Sequence, residues 1–181
     1  MAEKVVISPY HTEWPEVFSK LGATLRNALG DVALRIDHIG STSVPGLAAK
    51  PIVDIQISVA CFEPLDAYRI PLESLGYVFR SHNPELTKRC FRKPSGQRRT
   101  HIHVRRMGSW SEQFALLFRD YMRTHSDDAN RYADLKYRLA EQYGEDRHGY
   151  AEAKAPFIWE VMVKADTWAQ AIGWEPGPAD A

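Results

Sequence analysis

Gly40, Ser41 and Thr42, followed by Asp54 and later by His101 and His103, are residue types that can hold a phosphate beside a cation. A glycine lets a backbone approach a ligand where a side chain would obstruct it, and exposed amides of a tight loop bind anions. The amide and hydroxyl of Ser41 supply such donors, while the carboxylate of Asp54 is a hard oxygen ligand suited to a divalent cation that shares phosphate oxygens. Gly40 to Pro51 also has the composition of an ordinary turn. Asp54 tips the balance, because an ionised carboxylate inside an apolar strand is expensive unless it is paired, liganded or open to a cleft. Gln56 follows on the same strand face. His101 and His103 can bind a softer metal, donate hydrogen bonds to phosphate, or act as general acid or base near neutral pH.

These residues need a sheet to present them. From residue 52, Val53, Ile55, Ile57 and Val59 alternate with Asp54, Gln56 and Ser58, so one strand face suits a core and the other a site. Leu34–Ile39 reads as the strand before the loop. Tyr77–Ser81, Lys88–Lys93 and Thr100–Arg106 read as later strands, the last two joined as a hairpin through Pro94-Ser95-Gly96. Thr100–Arg106 places His101, His103 and Arg105 on one face. Residues 4–8 read as a strand or edge segment, and Glu13–Leu29 as a helix with Thr12 as N-cap and Pro15 in its first turn. Pro64–Leu75 suggests a short helix interrupted near Pro71. After Ser109 the spacing turns helical: Phe114, Leu117, Phe118 and Tyr121, then Tyr132, Leu135 and Leu139, then Phe157, Val161, Ala165, Trp168 and Ile172 in a helix opened or kinked by Pro156. The expected architecture is α+β, a small sheet first and a helical half after it. One domain over residues 1–173 is expected, with 174–181 as a mobile tail.

Charge narrows the functional classes. The chain has 181 residues and a formal net charge of zero, yet no acidic residue lies between Glu85 and Glu112, where Lys88, Arg89, Arg92, Lys93, Arg98, Arg99, Arg105 and Arg106 fall. Strand alternation allows only a subset of these, with Arg92 and Arg105 the candidates, to face a cleft that receives phosphates. Phe91 is the only Phe, Tyr or Trp from Lys88 to Arg106, which together with the neutral overall charge argues against a nucleic-acid surface. Cys61 and Cys90 lack the paired spacing of a zinc or redox motif and read as structural thiols. No apolar run is long enough for a membrane span, so a cytoplasmic setting is expected.

The segment His38 to Asp54, with Gly40-Ser41-Thr42, Val44-Pro45-Gly46-Leu47 and Lys50-Pro51, resembles the signature of the GrpB family of the nucleotidyltransferase fold superfamily. The likeness continues through Gly76-Tyr77, His101-Ile102-His103-Val104, Phe118-Arg119-Asp120-Tyr121, Tyr132 with Lys136, and Tyr150 with Lys154. The resemblance implies a small mixed sheet with flanking helices. It also implies a nucleoside triphosphate as substrate and Mg²⁺ or Mn²⁺ as cofactor. Gly40, Ser41 and Thr42 would bind phosphates with help from Lys50, Lys136 and Lys154, and Asp54 would be the first metal-binding acid. Gln56 stands where the superfamily has its second metal-binding acid, its amide oxygen a poorer ligand for Mg²⁺ than a carboxylate, and histidines stand where the third would come. Arg119 and Asp120 are expected to tie the helical half to the sheet.

Two functions follow as expectations. One is a metal-dependent nucleotidyltransferase that moves a nucleoside monophosphate to a small-molecule or protein acceptor, with Asp54, His101 and His103 as catalytic residues. The alternative, motivated by Gln56, is a nucleotide- or phosphate-binding module without transfer. A third reading is a phosphohydrolase that uses Asp54, His101 and His103 around a transition metal.

Overall fold

Alternation in the sequence becomes a five-stranded sheet in the computed structural model, which describes residues 4–94 and 96–181. The strands are β1 (Arg35–Ile39), β2 (Val53–Val59), β3 (Val78–Phe79), β4 (Arg89–Arg92) and β5 (Thr100–Arg106), in the spatial order β1-β2-β5-β4-β3. Only the central β2–β5 pair is parallel; the other neighbours run antiparallel. The sheet is therefore mixed, and the expected α+β architecture of a small mixed sheet with flanking helices is present. Ser95, expected in the turn between β4 and β5, lies outside the described residues.

Period-2 alternation assigns each face its chemistry. Ile36, Val53, Ile55, Ile57, Phe91, Ile102 and Val104 pack on one side with helix α1 (Trp14–Leu29) and helix α2 (Asp66–Ser74), through Trp14, Phe18, Leu25, Tyr68 and Leu72. Asp54, Gln56 and Ser58 of β2 lie on the opposite face beside His101, His103 and Arg105 of β5. Some local expectations shift. Helix α1 begins after Glu13 with no side-chain cap, so Thr12 does not cap it. Helix α2 continues through Pro71, since burial of Tyr68 and Leu72 on one stripe holds the short helix together without the proline N–H. Residues 4–8 contribute only an isolated bridge, Ser8 to Ala49, rather than a strand.

The helical half comprises α3 (Trp110–Thr124), α4 (Ser126–Tyr143), α5 (Arg147–Ala153) and α6 (Ala155–Ile172). Of the two expectations for Pro156, it opens its helix, standing in the first turn of α6; the short α5 precedes it, with Lys154 at the junction. Val44 and Leu47, from the loop after β1, are buried with Tyr121, Met122, Ala129, Tyr132, Val161 and Ala165. The apolar residues of that loop thereby anchor it to the helices. Polar contacts fix α3 over the sheet: Glu112 accepts hydrogen bonds from Ser58 and, at 2.6 Å, from the Gly108 amide. Arg119 is buried; it donates to the His38 carbonyl at 3.2 Å and pairs with Asp120 at 2.7 Å and Asp180 at 2.9 Å. Arg119 has the tying role expected of it, whereas Asp120 bonds Arg119 and the Trp174 indole rather than the sheet. The tail, read from sequence as mobile, runs back along β1: the amides of Asp180 and Ala181 donate to the Ile36 carbonyl, and the His38 amide donates to Asp180 at 2.9 Å.

Ser109 caps α3 by accepting from the Glu112 amide at 3.4 Å. Ser109→Ala is expected to lower unfolding stability by about 1 kcal/mol, read as a lower urea midpoint with an unchanged slope.

Candidate functional site

The loop between β1 and β2 is shaped by close approach. Gly40 has φ +71°, and a Cβ there would lie 3.0 Å from Oδ2 of Asp54 and 3.3 Å from its Cβ. A side chain at this position would meet both a strained backbone and the carboxylate itself. Ser41–Ser43 then make one 3₁₀ turn, closed by the Ser43 amide and hydroxyl on the Gly40 carbonyl at 3.1 and 2.6 Å. Thr42 is held from behind: its hydroxyl donates to the Ile52 carbonyl at 3.2 Å and lies 2.9 Å from Nε2 of His38. The His38 ring stacks on Phe18, and burial pushes its pKa down to about 4, so it serves the loop as a neutral donor.

Beside this turn is a cavity of about 180 Å³ lined by Ser41, Thr42, Ala49, Lys50, Ile52, Asp54, His101, Lys136, Tyr150 and Lys154. Seven residues proposed from sequence thus come together: Ser41, Thr42, Lys50, Asp54, His101, Lys136 and Lys154. Three elements far apart in the chain deliver the lysines. Lys136 reaches in from α4 and donates to Ser41 Oγ at 3.0 Å and to the Ala48 carbonyl. Lys50 and Lys154 place Nζ 4.4 and 4.6 Å from the Tyr150 ring centroid, while Lys136 lies 4.5 Å from that of Tyr132. Tyr132 and Tyr150 were not assigned to the site by the sequence reading. Their four-residue spacing from Lys136 and Lys154 was the available signal.

None of these lysines forms an ion pair with a carboxylate among the described residues. Burial, with added repulsion from Lys154 and Lys50, lowers the pKa of Lys136 to about 7. Lys50 falls to about 8, again chiefly by burial and then through Lys154 and Arg147. The pKa of Lys154 is also lowered by burial, against an opposing pull from Asp54. Clustered ammonium groups taken out of water without a counter-charge form a site complementary to a polyanion.

Asp54 stands at the other end, opposite His101 in the parallel register. Its Oδ1 is 3.1 Å from Nε2 of His103 and 3.4 Å from Nδ1 of His101. Burial would raise its pKa, but hydrogen bonding and charge from the two histidines outweigh that and hold it well below the usual carboxylate range. His103 lies behind Asp54, its Nδ1 3.9 Å from Sγ of Cys90, and burial lowers its pKa against the pull of Asp54.

The remaining candidates lie elsewhere. Gln56 is fully buried; its Oε1 accepts from Arg105 Nη1 at 2.7 Å and its Nε2 donates to the Glu112 carbonyl at 3.4 Å. The oxygen that a metal would use is engaged, and Arg105 is engaged with it. Arg92 is exposed and lines a separate groove with Phe79, Arg80 and Cys90. The two-carboxylate magnesium arrangement implied by the superfamily does not fit this donor set, which offers one carboxylate and two imidazoles.

The lysine pKa values set opposite pH trends for stability and binding. The unfolded chain keeps protons on Lys50 and Lys136 that the fold releases, so stability gains from these groups as pH rises from about 7 to about 10. Anion binding needs the protons and runs the other way. Tripolyphosphate affinity, measured by calorimetry, is expected to fall by about tenfold or more between pH 7 and pH 9, since both groups lose most of their charge there.

The family model described as GrpB protein matches residues 4–164. The chain belongs to the GrpB family. Among relatives, a UPF0157 protein of Pseudomonas aeruginosa is 38% identical over 166 residues, covering 90% of this chain and 68% of that protein. A UPF0157 protein of Halalkalibacterium halodurans is 34% identical, covering 90% and 83%. A protein of Mycolicibacterium paratuberculosis named dephospho-CoA kinase is 33% identical; the match covers 95% of this chain but 48% of that one, so this GrpB chain corresponds to about half of its length. The crystal structure of GrpB from Enterococcus faecalis superposes with a TM-score of 0.80 at 32% identity, covering 90% of this chain and 99% of that one. Cid1, solved in complex with its short product ApU, has a TM-score of 0.51 at 13% identity over 74% of this chain and 42% of its own, a likeness of fold alone. Among the described residues, no helix is long and apolar enough to cross a membrane.

Proposed function

We propose that this GrpB chain binds the phosphates of a nucleoside triphosphate in the cavity between Ser41 and Lys154 and transfers the nucleoside monophosphate to a small-molecule or protein acceptor. The observation that carries this reading is the convergence of Lys50, Lys136 and Lys154, unpaired with any carboxylate among the described residues, on the loop turn that faces Asp54. A volume of about 180 Å³ suits a phosphate chain and leaves the nucleoside outside the cavity. Ser41 and the lysines would hold the phosphates and stabilise charge developing on the leaving pyrophosphate. His101, which lines the cavity beside Asp54, would take the proton from the acceptor hydroxyl or amine. The fold likeness to Cid1, whose product is a dinucleotide, supports the same direction. A cytoplasmic setting, where nucleoside triphosphates are available, belongs to this reading.

The Gln56–Arg105 hydrogen bond favours a second reading, a binding module that keeps the cavity without transfer. Two measurements separate them. Thermal shift across the four nucleoside triphosphates tests binding, because a ligand of the native state raises its melting temperature. Incubation with α-labelled nucleotides and a metabolite extract, with divalent metals supplied, tests transfer. Binding with Asp54-dependent labelled product supports the enzyme; binding with no such product supports the module; no binding by any triphosphate overturns both.

A further inference from the structure

We propose that Asp54, His101 and His103 bind a single first-row transition-metal ion, in preference to magnesium. This deepens the triphosphate reading and revises it at one residue: the metal would lie at the end of the same cavity opposite the lysines, with His101 a ligand instead of the base and the acceptor's proton leaving to solvent. The parallel pairing of β2 with β5 sets His101 directly across from Asp54 and His103 across from Gln56, one step along the same face. One ligand atom from each of the three residues lies within 4.8 Å of the others.

The distances suit ligands of a common ion as well as a hydrogen-bonded cluster. Asp54 Oδ1 stands 3.1 and 3.4 Å from the two imidazole nitrogens. In a tetrahedral site with metal–ligand bonds of about 2.05 Å, the ligand atoms are separated by about 3.3 Å. Gly40 leaves room for Oδ2 of the carboxylate. The second nitrogen of His103 lies 3.9 Å from Sγ of Cys90.

Donor chemistry decides the class of ion. Magnesium requires several hard oxygens in near-octahedral geometry, and the neighbouring amide oxygen of Gln56 is engaged by Arg105. Two imidazoles and one carboxylate suit zinc, cobalt, iron or nickel, with the remaining coordination position open toward the cavity. A phosphate oxygen could fill that position while the lysines hold the rest of the anion.

The test uses the full chain stripped with a chelator and titrated with Co²⁺, whose visible absorption reports coordination by imidazole. One Co²⁺ per chain is expected, displaced by Zn²⁺ and retained in a large excess of Mg²⁺. His101→Ala and His103→Ala are each expected to bind about a hundredfold more weakly, as when one of three protein ligands is lost. Circular dichroism confirms folding, and His101→Gln, at the more accessible histidine, serves if His103→Ala does not fold. Failure to bind Co²⁺ or Zn²⁺ stoichiometrically, equal displacement by Mg²⁺, or unchanged affinity in folded histidine variants would overturn the site. Triphosphate binding is followed separately by thermal shift. Metal binding without triphosphate binding upholds this site and removes the reading it deepens; triphosphate binding without metal binding does the reverse.

Discussion

Asp54→Asn is expected to reduce nucleotidyl transfer by about a thousandfold or more while triphosphate binding to the metal-free protein is kept or strengthened. Asp54 is the only carboxylate among the described residues lining the cavity. It faces both histidines through one oxygen and so fixes their ring orientation. An asparagine has nearly the same shape but accepts with one terminal atom and donates with the other. Its amide oxygen can still face both imidazoles but carries no negative charge to hold them. Removing a negative charge from an anion site has the opposite effect on affinity, because repulsion of the incoming phosphates disappears. Single-turnover assays with labelled nucleotide, paired with calorimetric titration, read the two effects separately. A parallel loss of transfer and of binding to the metal-free protein would show Asp54 acting on the fold of the loop rather than on the reaction.

Lys136→Met is expected to weaken triphosphate binding by about a hundredfold, the value of a charge-assisted hydrogen bond to phosphate in a buried site. Of the three lysines, Lys136 is the one that touches the turn itself, through Ser41 Oγ at 3.0 Å. Methionine keeps the length of the side chain and its packing over Tyr132 while losing the ammonium donors. Lys136→Arg is not expected to restore affinity, since the planar guanidinium is larger and the ammonium sits in a buried corner between Ser41 and the Ala48 carbonyl. Equilibrium titration with a nucleoside triphosphate at pH 7 checks both variants, and wild-type affinity in Lys136→Met would place the phosphates elsewhere.

The sheet was legible because its strands alternate cleanly: Val53 to Val59 and Thr100 to Arg106 announce both their period and their polar faces. Gly40, Ser41 and Asp54 were legible for a related reason, as a charged residue stands out inside an apolar strand. The partnership of Gln56 was not. Its bond to Arg105 depends on the parallel register of β2 with β5, which no local pattern encodes. Convergence of Lys50, Lys136 and Lys154 is likewise a property of how α4 and the α5–α6 junction dock, so each lysine alone reads as a solvated helix or loop residue. The helix through Pro71 was hidden for another reason: propensity at one residue was outweighed by tertiary burial of Tyr68 and Leu72.

The return of the chain along β1 has a consequence for how copies of this protein meet. A strand at the margin of a sheet offers unpaired amides and carbonyls as a template for another chain. At the β1 margin, the Ile36 carbonyl receives the amides of Asp180 and Ala181, and the His38 amide is bound by the Asp180 side chain. At the opposite margin, β3 is only two residues long. Among the described residues, neither border presents the long, bare strand on which sheets join from molecule to molecule, and at β1 it is Asp180 and Ala181 that guard against that form of aggregation.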